Sequence, residues 1–79
     1  MVETGEVYEQ NGVKLKILEV HPYFTAMGRR ALLIACQIEE GRFTTPTFHF
    51  WMMANEDINK KVKEVIDNYR AITKKLMTG

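Results

Sequence analysis

The apolar residues of this chain change their spacing once, near residue 55. From there to residue 77 they recur at intervals of three or four positions, which is the spacing of one face of an α-helix. The members of this stripe are Ile58, Val62, Val65, Tyr69, Ile72 and Leu76. Before residue 55, apolar and polar residues alternate in several short runs, which is typical of β-strands. The chain is therefore predicted to form a sheet first and a single C-terminal helix afterwards.

Two β-strands are predicted ahead of residue 25, with a tight turn between them. The first covers residues 6–9, and it is followed by Asn11-Gly12, a pair that accepts the positive φ angles of a type I′ hairpin turn. In the second strand, apolar residues alternate with lysines from residue 13 to residue 17. Pro22 has no N–H to donate, so we expect it to end this strand or to place it at an edge of the sheet.

Two further strands are predicted before the helix. The third covers residues 31–40, and a turn around Gly41 returns the chain into the fourth. Pro46 interrupts this fourth strand, residues 43–52, and predicts an edge position or a bulge there. The sequence thus predicts a single α+β domain over residues 1–79: a four-stranded antiparallel meander sheet (β-β-β-β-α) with one C-terminal amphipathic helix packed on one face.

The predicted helix can cover only one side of the sheet. Asn55 is its expected N-cap, because an asparagine side chain can accept from the free N–H groups of the first turn. The opposite side combines Lys14 and Lys16 with apolar residues such as Leu33, so it is neither fully polar nor fully apolar. We expect the sheet to curl into a partial barrel, to pair with a second copy or to receive a ligand. A homo-oligomer, most simply a homodimer, is the prediction for a domain this small.

Residues that carry catalysis or bind metals are sparse in the sequence. The chain has no serine, and its one cysteine, Cys36, lies in an apolar strand, where burial raises the pKa of a thiol and makes it unreactive. His21, Cys36 and His49 fall on three predicted strands, without the short spacing that is typical of a metal site. The glycines are scattered and form no phosphate-binding loop. We therefore predict no catalytic residue, no metal, no cofactor and no enzyme activity.

Charge and composition bear on the cellular location. The formal net charge of +1 is much smaller than that of a typical DNA-binding domain. The first ten residues are polar and acidic, unlike a signal peptide, and the longest apolar run, residues 31–36, is too short to span a bilayer. A single cysteine allows no intramolecular disulfide and is typical of a reducing compartment. These features predict a cytoplasmic protein that does not bind membranes.

The fourth strand carries the main candidate for a binding surface. Strict alternation puts Phe43, His49 and Trp51 on the face opposite the helix, beside the two lysines of the second strand. Aromatic rings beside cations bind single-stranded nucleic acids, because the rings stack on bases and the cations contact phosphates. The same rings are also the kind that a dimer interface or a loop covers. The proline in this strand leaves open which face is buried, because a bulge would exchange the two faces.

The segment of residues 21–30 contains a second cluster. Arg29 and Arg30 are the densest positive charge before the helix, and Tyr23 and Phe24 are apolar. Two interpretations are open for this loop. It is either a flexible finger that contacts phosphates or an acidic partner, or a cap on the open end of the core. In the second case the arginines would pair with the glutamates that end the third strand.

Two functions are compatible with these observations. The first is a small non-enzymatic binding protein, nucleic-acid-associated or regulatory, which acts as a homo-oligomer and contacts single-stranded nucleic acid. The alternative is a protein-interaction or accessory subunit whose second sheet face is a protein interface. A small-ligand site between subunits is a third option. The candidate nucleic-acid or partner-binding residues are Lys14, Lys16, Arg29, Arg30, Arg42, Phe43, His49 and Trp51.

Overall fold

The computed structural model describes the backbone of residues 2–78 and the side chains of residues 2–74. In chain order the elements are β1 (Val7–Gln10), β2 (Val13–Phe24), β3 (Arg30–Glu40), β4 (Phe43–Thr44), β5 (Phe48–Met53) and α1 (Ile58–Thr78). All of the strand pairs are antiparallel. The predicted α+β class, an antiparallel sheet followed by a C-terminal helix, is confirmed.

The sheet has four strand positions, because β4 and β5 both pair with β3 and together occupy the last position. Together they form the fourth strand that the sequence predicts. They are separated around Pro46, where two hydrogen bonds between Thr45 and Ile38 take the place of the regular strand pairing. The Thr45 N–H donates to the Ile38 carbonyl (2.9 Å), and its Oγ1 accepts from the Ile38 N–H (3.0 Å). The predicted interruption at Pro46 is therefore a bulge in an edge strand.

The two predicted turns are also confirmed. Asn11 and Gly12 connect β1 to β2 with φ angles of +50° and +83°, both positive as a type I′ turn requires. Gly41 has a φ of +61° in the two-residue connection between β3 and β4, at the position where a type II′ turn needs a glycine. These turns allow β1 to pair antiparallel with β2, and β3 with β4.

β2 is longer than its alternating pattern indicates, since it continues through Pro22 to Phe24. The segment containing β1 pairs with β2 only as far as Ile17, so the rest of β2 forms an edge of the sheet. The Thr25 N–H donates to the Arg29 carbonyl (2.8 Å) across the hairpin. Because backbone groups alternate in direction along a strand, the nitrogen of Pro22 then points away from β3. The proline removes no ladder hydrogen bond, and the prediction of an edge position is correct.

The core lies between α1 and the side of the sheet that faces it, called here the helix face; the other side is the open face. A bulge at Leu18 shifts the register of β2, so that Val20 joins Ile17 on the helix face. The buried members of the core cluster are Val2, Val13, Leu15, Ile17, Ile34, Cys36, Ile38, Met52, Val62 and Ile66.

α1 buries a narrower stripe than the sequence predicts. The centre of the stripe is Val62 and Ile66, of which Ile66 is 0% exposed although the predicted stripe omits it. The partly buried residues beside them are Ile58, Val65 and Tyr69. Ile72 is 62% exposed, so its predicted place in the core is wrong. The side chain of Leu76 lies outside the described residues.

The helix begins later than the predicted N-cap. The carboxylate of Asp57 accepts from the Asn59 N–H (3.0 Å), so Asp57 is the N-cap and the prediction of Asn55 is wrong. Asn55 lies in the preceding turn, in which the Glu56 N–H donates to the Met53 carbonyl (3.0 Å). A carboxylate at the cap also interacts favourably with the helix dipole, which an asparagine does not provide.

α1 crosses the sheet diagonally. Near its start, the Lys61 ammonium lies 5.9 Å from the ring centroid of Trp51 in β5. Farther along, Arg70 donates to the carbonyl oxygens of Gln10 (3.1 Å) and Asn11 (2.8 Å) at the β1–β2 turn. The helix therefore moves away from β5 along its length and leaves part of the helix face beside β5 uncovered.

Candidate functional site

The eight predicted binding residues do not form one site. They are distributed as Lys14 and Lys16 in β2, Arg42 and Phe43 at the β3–β4 turn, His49 and Trp51 in β5, and Arg29 and Arg30 at the β2–β3 loop. Arg42 and the pair Arg29–Arg30 lie at opposite ends of β3, an 11-residue strand. At about 3.3 Å per residue, the strand separates Arg30 from Arg42 by about 35 Å. The structure brings together only subsets of the predicted residues.

Phe43 lies on the helix face, although alternation groups it with Trp51. In the register, Phe43 is opposite Glu40 whereas Trp51 is opposite Leu33, and positions 40 and 33 of β3 point to different faces. The cause is the bulge, in which the three residues 45–47 stand opposite two residues of β3. The predicted grouping of Phe43 with Trp51 is therefore wrong.

The lysines of the open face are balanced by glutamates. Lys16 Nζ lies 3.7 Å from Glu39 Oε1. Lys14 is opposite Glu9 on one side and Glu39 on the other. This part of the open face thus carries little net charge, and it does not provide the continuous positive track that phosphates require.

The other part of the open face is largely apolar. The register places His21, Leu33 and Trp51 in one row across β2, β3 and β5. The next row contains Tyr23, Ala31 and Met53. Side chains opposite each other on neighbouring strands are about 5 Å apart, so the larger members of these rows form one surface. We call it the open-face patch, and its members are Tyr23, Leu33, Trp51 and Met53.

Trp51 is only half covered. The Lys61 ammonium, 5.9 Å from the ring centroid, is within the range of a cation–π contact. Lys61 also pairs with Glu64 of the same helix (3.8 Å). The Trp51 side chain remains 56% exposed and is available for contact with a partner.

The β2–β3 loop is compact, but it does not cap the core. The Gly28 N–H donates to the Thr25 carbonyl (2.9 Å), and the Arg29 N–H donates to Thr25 Oγ1 (3.2 Å). Phe24 is nevertheless 70% exposed, and Met27 is more exposed still. The core-capping interpretation of Tyr23 and Phe24 is wrong, because Tyr23 is 40% exposed and Phe24 lies on a hairpin that extends beyond the core. The expected arginine–glutamate pairing is wrong too, since the glutamates end the opposite tip of β3.

β5 is an edge strand whose outer side pairs with no other strand in the described part of the chain. The Ala54 N–H donates to the carbonyl of Arg30, the first residue of β3 (3.0 Å). The even-numbered residues of β5 therefore direct their backbone groups toward β3. The odd-numbered residues His49, Trp51 and Met53 direct theirs outward.

Of these outward groups, those of Met53 are already bonded. Its N–H donates to Glu56 Oε1 (2.8 Å), and its carbonyl accepts from the Glu56 N–H (3.0 Å). The N–H and C=O groups of His49 and Trp51 have no partner among residues 2–74. Exposed edges are normally protected by a lysine or proline, and β5, with the sequence FHFWMM, has neither.

An apolar groove runs beside β5 on the helix face. It has a volume of about 350 Å³ and is lined by Thr45, Phe48, Phe50, Val65, Asn68, Tyr69 and Ile72. Burial, together with a hydrogen bond to Glu40 (3.2 Å), raises the pKa of the Tyr69 phenol, so this ring stays neutral. No residue of the groove is charged at neutral pH. Neither the free edge nor the groove was predicted from the sequence, although the run of residues 43–53 without Lys, Asp or Glu is a usable signal for both.

The reactive groups of the chain are buried or dispersed. Burial raises the pKa of the Cys36 thiol to about 11, which keeps it protonated at neutral pH. His21 Nε2 lies 2.7 Å from Glu19 Oε2 on the surface. In the described part of the chain, no three His, Cys, Asp or Glu side chains are grouped so that they could hold a metal ion. The described residues form no helix with the length and apolar character needed to cross a bilayer.

Comparison with known proteins finds no counterpart of this arrangement: no family model, no curated protein and no solved structure matches the chain.

Proposed function

We propose that this chain is a non-enzymatic protein-interaction module, an accessory or regulatory subunit that binds an extended protein segment along the outer edge of β5. The observation that carries the proposal is the pair of unpartnered backbone positions, His49 and Trp51, on an uncharged edge strand. An added strand satisfies such groups by main-chain hydrogen bonds, and side-chain pockets beside the edge give specificity.

Apolar surface flanks this edge on both faces of the sheet. The groove beside Phe48 and Phe50 lies on the helix face, and Trp51 with Leu33 lies on the open face. A strand added to β5 would place its alternate side chains against both surfaces. Neither β5 nor the groove contains a lysine or arginine, and Lys61 beside Trp51 is paired with Glu64 (3.8 Å), which favours a protein partner over a polyanion.

The opposite edge of the sheet is formed by β1 and the free part of β2, and both are protected, since β1 has only four residues and one of them, Glu9, is charged. In the free part of β2, Pro22 occupies an outward position and lacks the N–H that an added strand would need. The two edges therefore differ in what they can bind, and this difference directs the partner to β5.

Amide hydrogen exchange, read by NMR on the purified full chain, tests the proposal. The probe is a synthetic peptide of residues 43–54, added at a protein concentration at which light scattering gives the mass of a monomer. We expect the amides of His49 and Trp51 to gain protection when the peptide is added in excess. The amide of Phe24, which points outward beside Pro22, is the matched control and should not change. Unchanged exchange at His49 and Trp51 with saturating peptide would overturn the proposal.

A second candidate, binding of single-stranded nucleic acid, is favoured by one observation. Trp51 is half exposed with the Lys61 ammonium beside its ring, which is an arrangement that can stack a base and contact its phosphate. Arg29 and Arg30 lie at the same end of the sheet as the open-face patch. Titration with single-stranded oligonucleotides at low salt should then quench Trp51 fluorescence and lose this effect as salt is added. No response at low salt would eliminate this candidate.

A further inference from the structure

We infer that the segment bound at the β5 edge is β5 of a second copy of this chain, related by a two-fold axis that sets Phe50 opposite the partner's Phe50. This inference rests on the proposed function, because it names the protein segment that the edge accepts. Three properties of β5 lead to it: the alternation of its faces, the positions of its free backbone groups and its lack of charge.

Alternation limits the possible registers. In an antiparallel pair, residues directly opposite each other lie on the same face of the sheet. Phe50 belongs to the helix face and Trp51 to the open face. Across a two-fold axis normal to the sheet, Phe50 of one copy therefore cannot stand opposite Trp51 of the other. The axis must instead pass beside a residue that faces its own equivalent. Two of these registers give the longest overlap of β5 with its equivalent, and they set Phe50 opposite the partner's Phe50 or Trp51 opposite the partner's Trp51.

The free backbone groups select between the two registers. With Phe50 at the centre, His49 faces the partner's Trp51 and Trp51 faces the partner's His49. These are the residues whose N–H and C=O groups point outward without partners, and the two pairs form four hydrogen bonds. With Trp51 at the centre, His49 would face the partner's Met53, whose backbone groups are already bonded to Glu56. The first register satisfies every free outward group of β5 and breaks no existing bond.

The charge distribution favours a second copy over a charged partner. Charged residues make up 27% of the chain, yet none lies in β5 or in the groove beside it. Lys61, which lies beside Trp51, is paired with Glu64 (3.8 Å), so two copies can approach along this strip with little like-charge repulsion. In the selected register, each His49 imidazole lies beside the partner's Trp51 on the open face. On the helix face, Phe48 lies opposite the partner's Met52.

The same arrangement accounts for the apolar groove. A two-fold axis normal to the sheet keeps both helices on one side of a continuous sheet. The groove of one copy, beside Phe48, then adjoins the partner's helix start, because each helix begins close to its own β5 and diverges from it. The partner would thus cover the apolar groove residues that the chain's own helix leaves open, including the exposed Ile72.

A charge-exchange experiment tests both the partner and the register. His49→Lys/Trp51→Lys sets lysine opposite lysine at both hydrogen-bonded pairs, and we expect it to weaken dimerisation by about tenfold or more. His49→Lys/Trp51→Glu sets lysine opposite glutamate at both pairs, and it should restore dimerisation. In the Trp51-centred register, the second variant would set glutamate opposite glutamate and would not restore it. Both positions are exposed, so circular dichroism should show the wild-type fold in each variant.

Sedimentation equilibrium of the full chain gives the readout. A wild-type mass that stays monomeric up to the solubility limit would overturn the inference, and so would a lysine–glutamate variant as weak as the dilysine one. Failure of the proposed function is recognised separately, by the peptide experiment. A monomeric chain whose His49 and Trp51 amides are protected by the peptide would overturn the second copy as occupant alone. A monomeric chain without that protection would overturn both.

Discussion

Ile66→Ala tests where the buried stripe of α1 lies. Ile66 is 0% exposed, and the substitution removes three carbon atoms from the centre of the core. At about 0.8 kcal/mol per buried CH₂ group, the lost transfer free energy is about 2.4 kcal/mol. The cavity left behind raises the expected loss in the free energy of unfolding to about 3–4 kcal/mol. The better helix propensity of alanine offsets only about 0.4 kcal/mol of this.

Ile72→Ala is the matched control, since it makes the same chemical change on the same helix. Ile72 is 62% exposed, so we expect the free energy of unfolding to change by less than about 0.5 kcal/mol. Urea unfolding followed by Trp51 fluorescence measures both variants. The protein concentration should be low enough that light scattering gives a monomer, because Ile72 lies in the groove that a second copy would cover.

The total stability of a 79-residue domain is of order 4–12 kcal/mol, so Ile66→Ala leaves little or no folded protein if stability is at the low end. Ile66→Val, with an expected cost of about 1 kcal/mol, keeps the prediction measurable in that case. Equal losses for the two alanine variants, or a larger loss at Ile72, would contradict this placement of the helix. The stripe predicted by spacing alone would then be the correct one.

Three further results are expected. With a pKa of about 11, the Cys36 thiol of the folded chain forms about 100-fold less thiolate at pH 8 than the same thiol in the unfolded chain, where its pKa is 9.0. Cys36 should therefore react with a thiol reagent only through unfolding. Labelling in native buffer at the rate seen in denaturant would contradict this. The pKa of this thiol is higher in the folded chain than in the unfolded chain. Below pH 9 the thiol therefore does not lower the free energy of unfolding, which then falls by up to about 2.7 kcal/mol as the pH rises to about 11. Denaturant titrations should show this fall, and Cys36→Ala should remove the cysteine part of it, leaving that of Tyr8 and Tyr69, whose pKa values burial also raises. Gly12→Ala should lower stability by about 1–2 kcal/mol in thermal denaturation, because its φ of +83° is unfavourable for any residue with a Cβ. No atom lies within 4 Å of the added Cβ, so a larger loss would show that steric contact also contributes.

The order of elements could be predicted because its signals are local. The change of period near residue 55 separates sheet from helix, and Asn11-Gly12 supplies the positive φ angles of a two-residue hairpin. The edge position of Pro22 likewise follows from its missing N–H. Each of these signals depends on a few neighbouring residues and needs no knowledge of which strands pair.

The positions of side chains on the sheet could not be predicted, because strand pairing decides them. The bulge at Leu18 and the extra residue within 45–47 each reverse an alternation that the sequence presents as continuous. The N-cap is Asp57 and not the predicted Asn55 for a similar reason. The Glu56 N–H donates to the Met53 carbonyl, so Asn55 belongs to a turn that the local sequence does not reveal. Which backbone groups of β5 are free also depends on the register with β3.

The bulge beside Pro46 connects the core to the proposed interface. If the register of β4 continued without the extra residue, position 51 would stand opposite Leu32 and position 50 opposite Leu33. Trp51 would then enter the core and Phe50 would lie on the open face. The extra residue reverses both, so that the phenylalanines pack under the helix while the outward backbone groups fall at His49 and Trp51. One local irregularity thus fills the core and leaves an unprotected edge, which is why an edge that Pro46 could have blocked is open to a second strand.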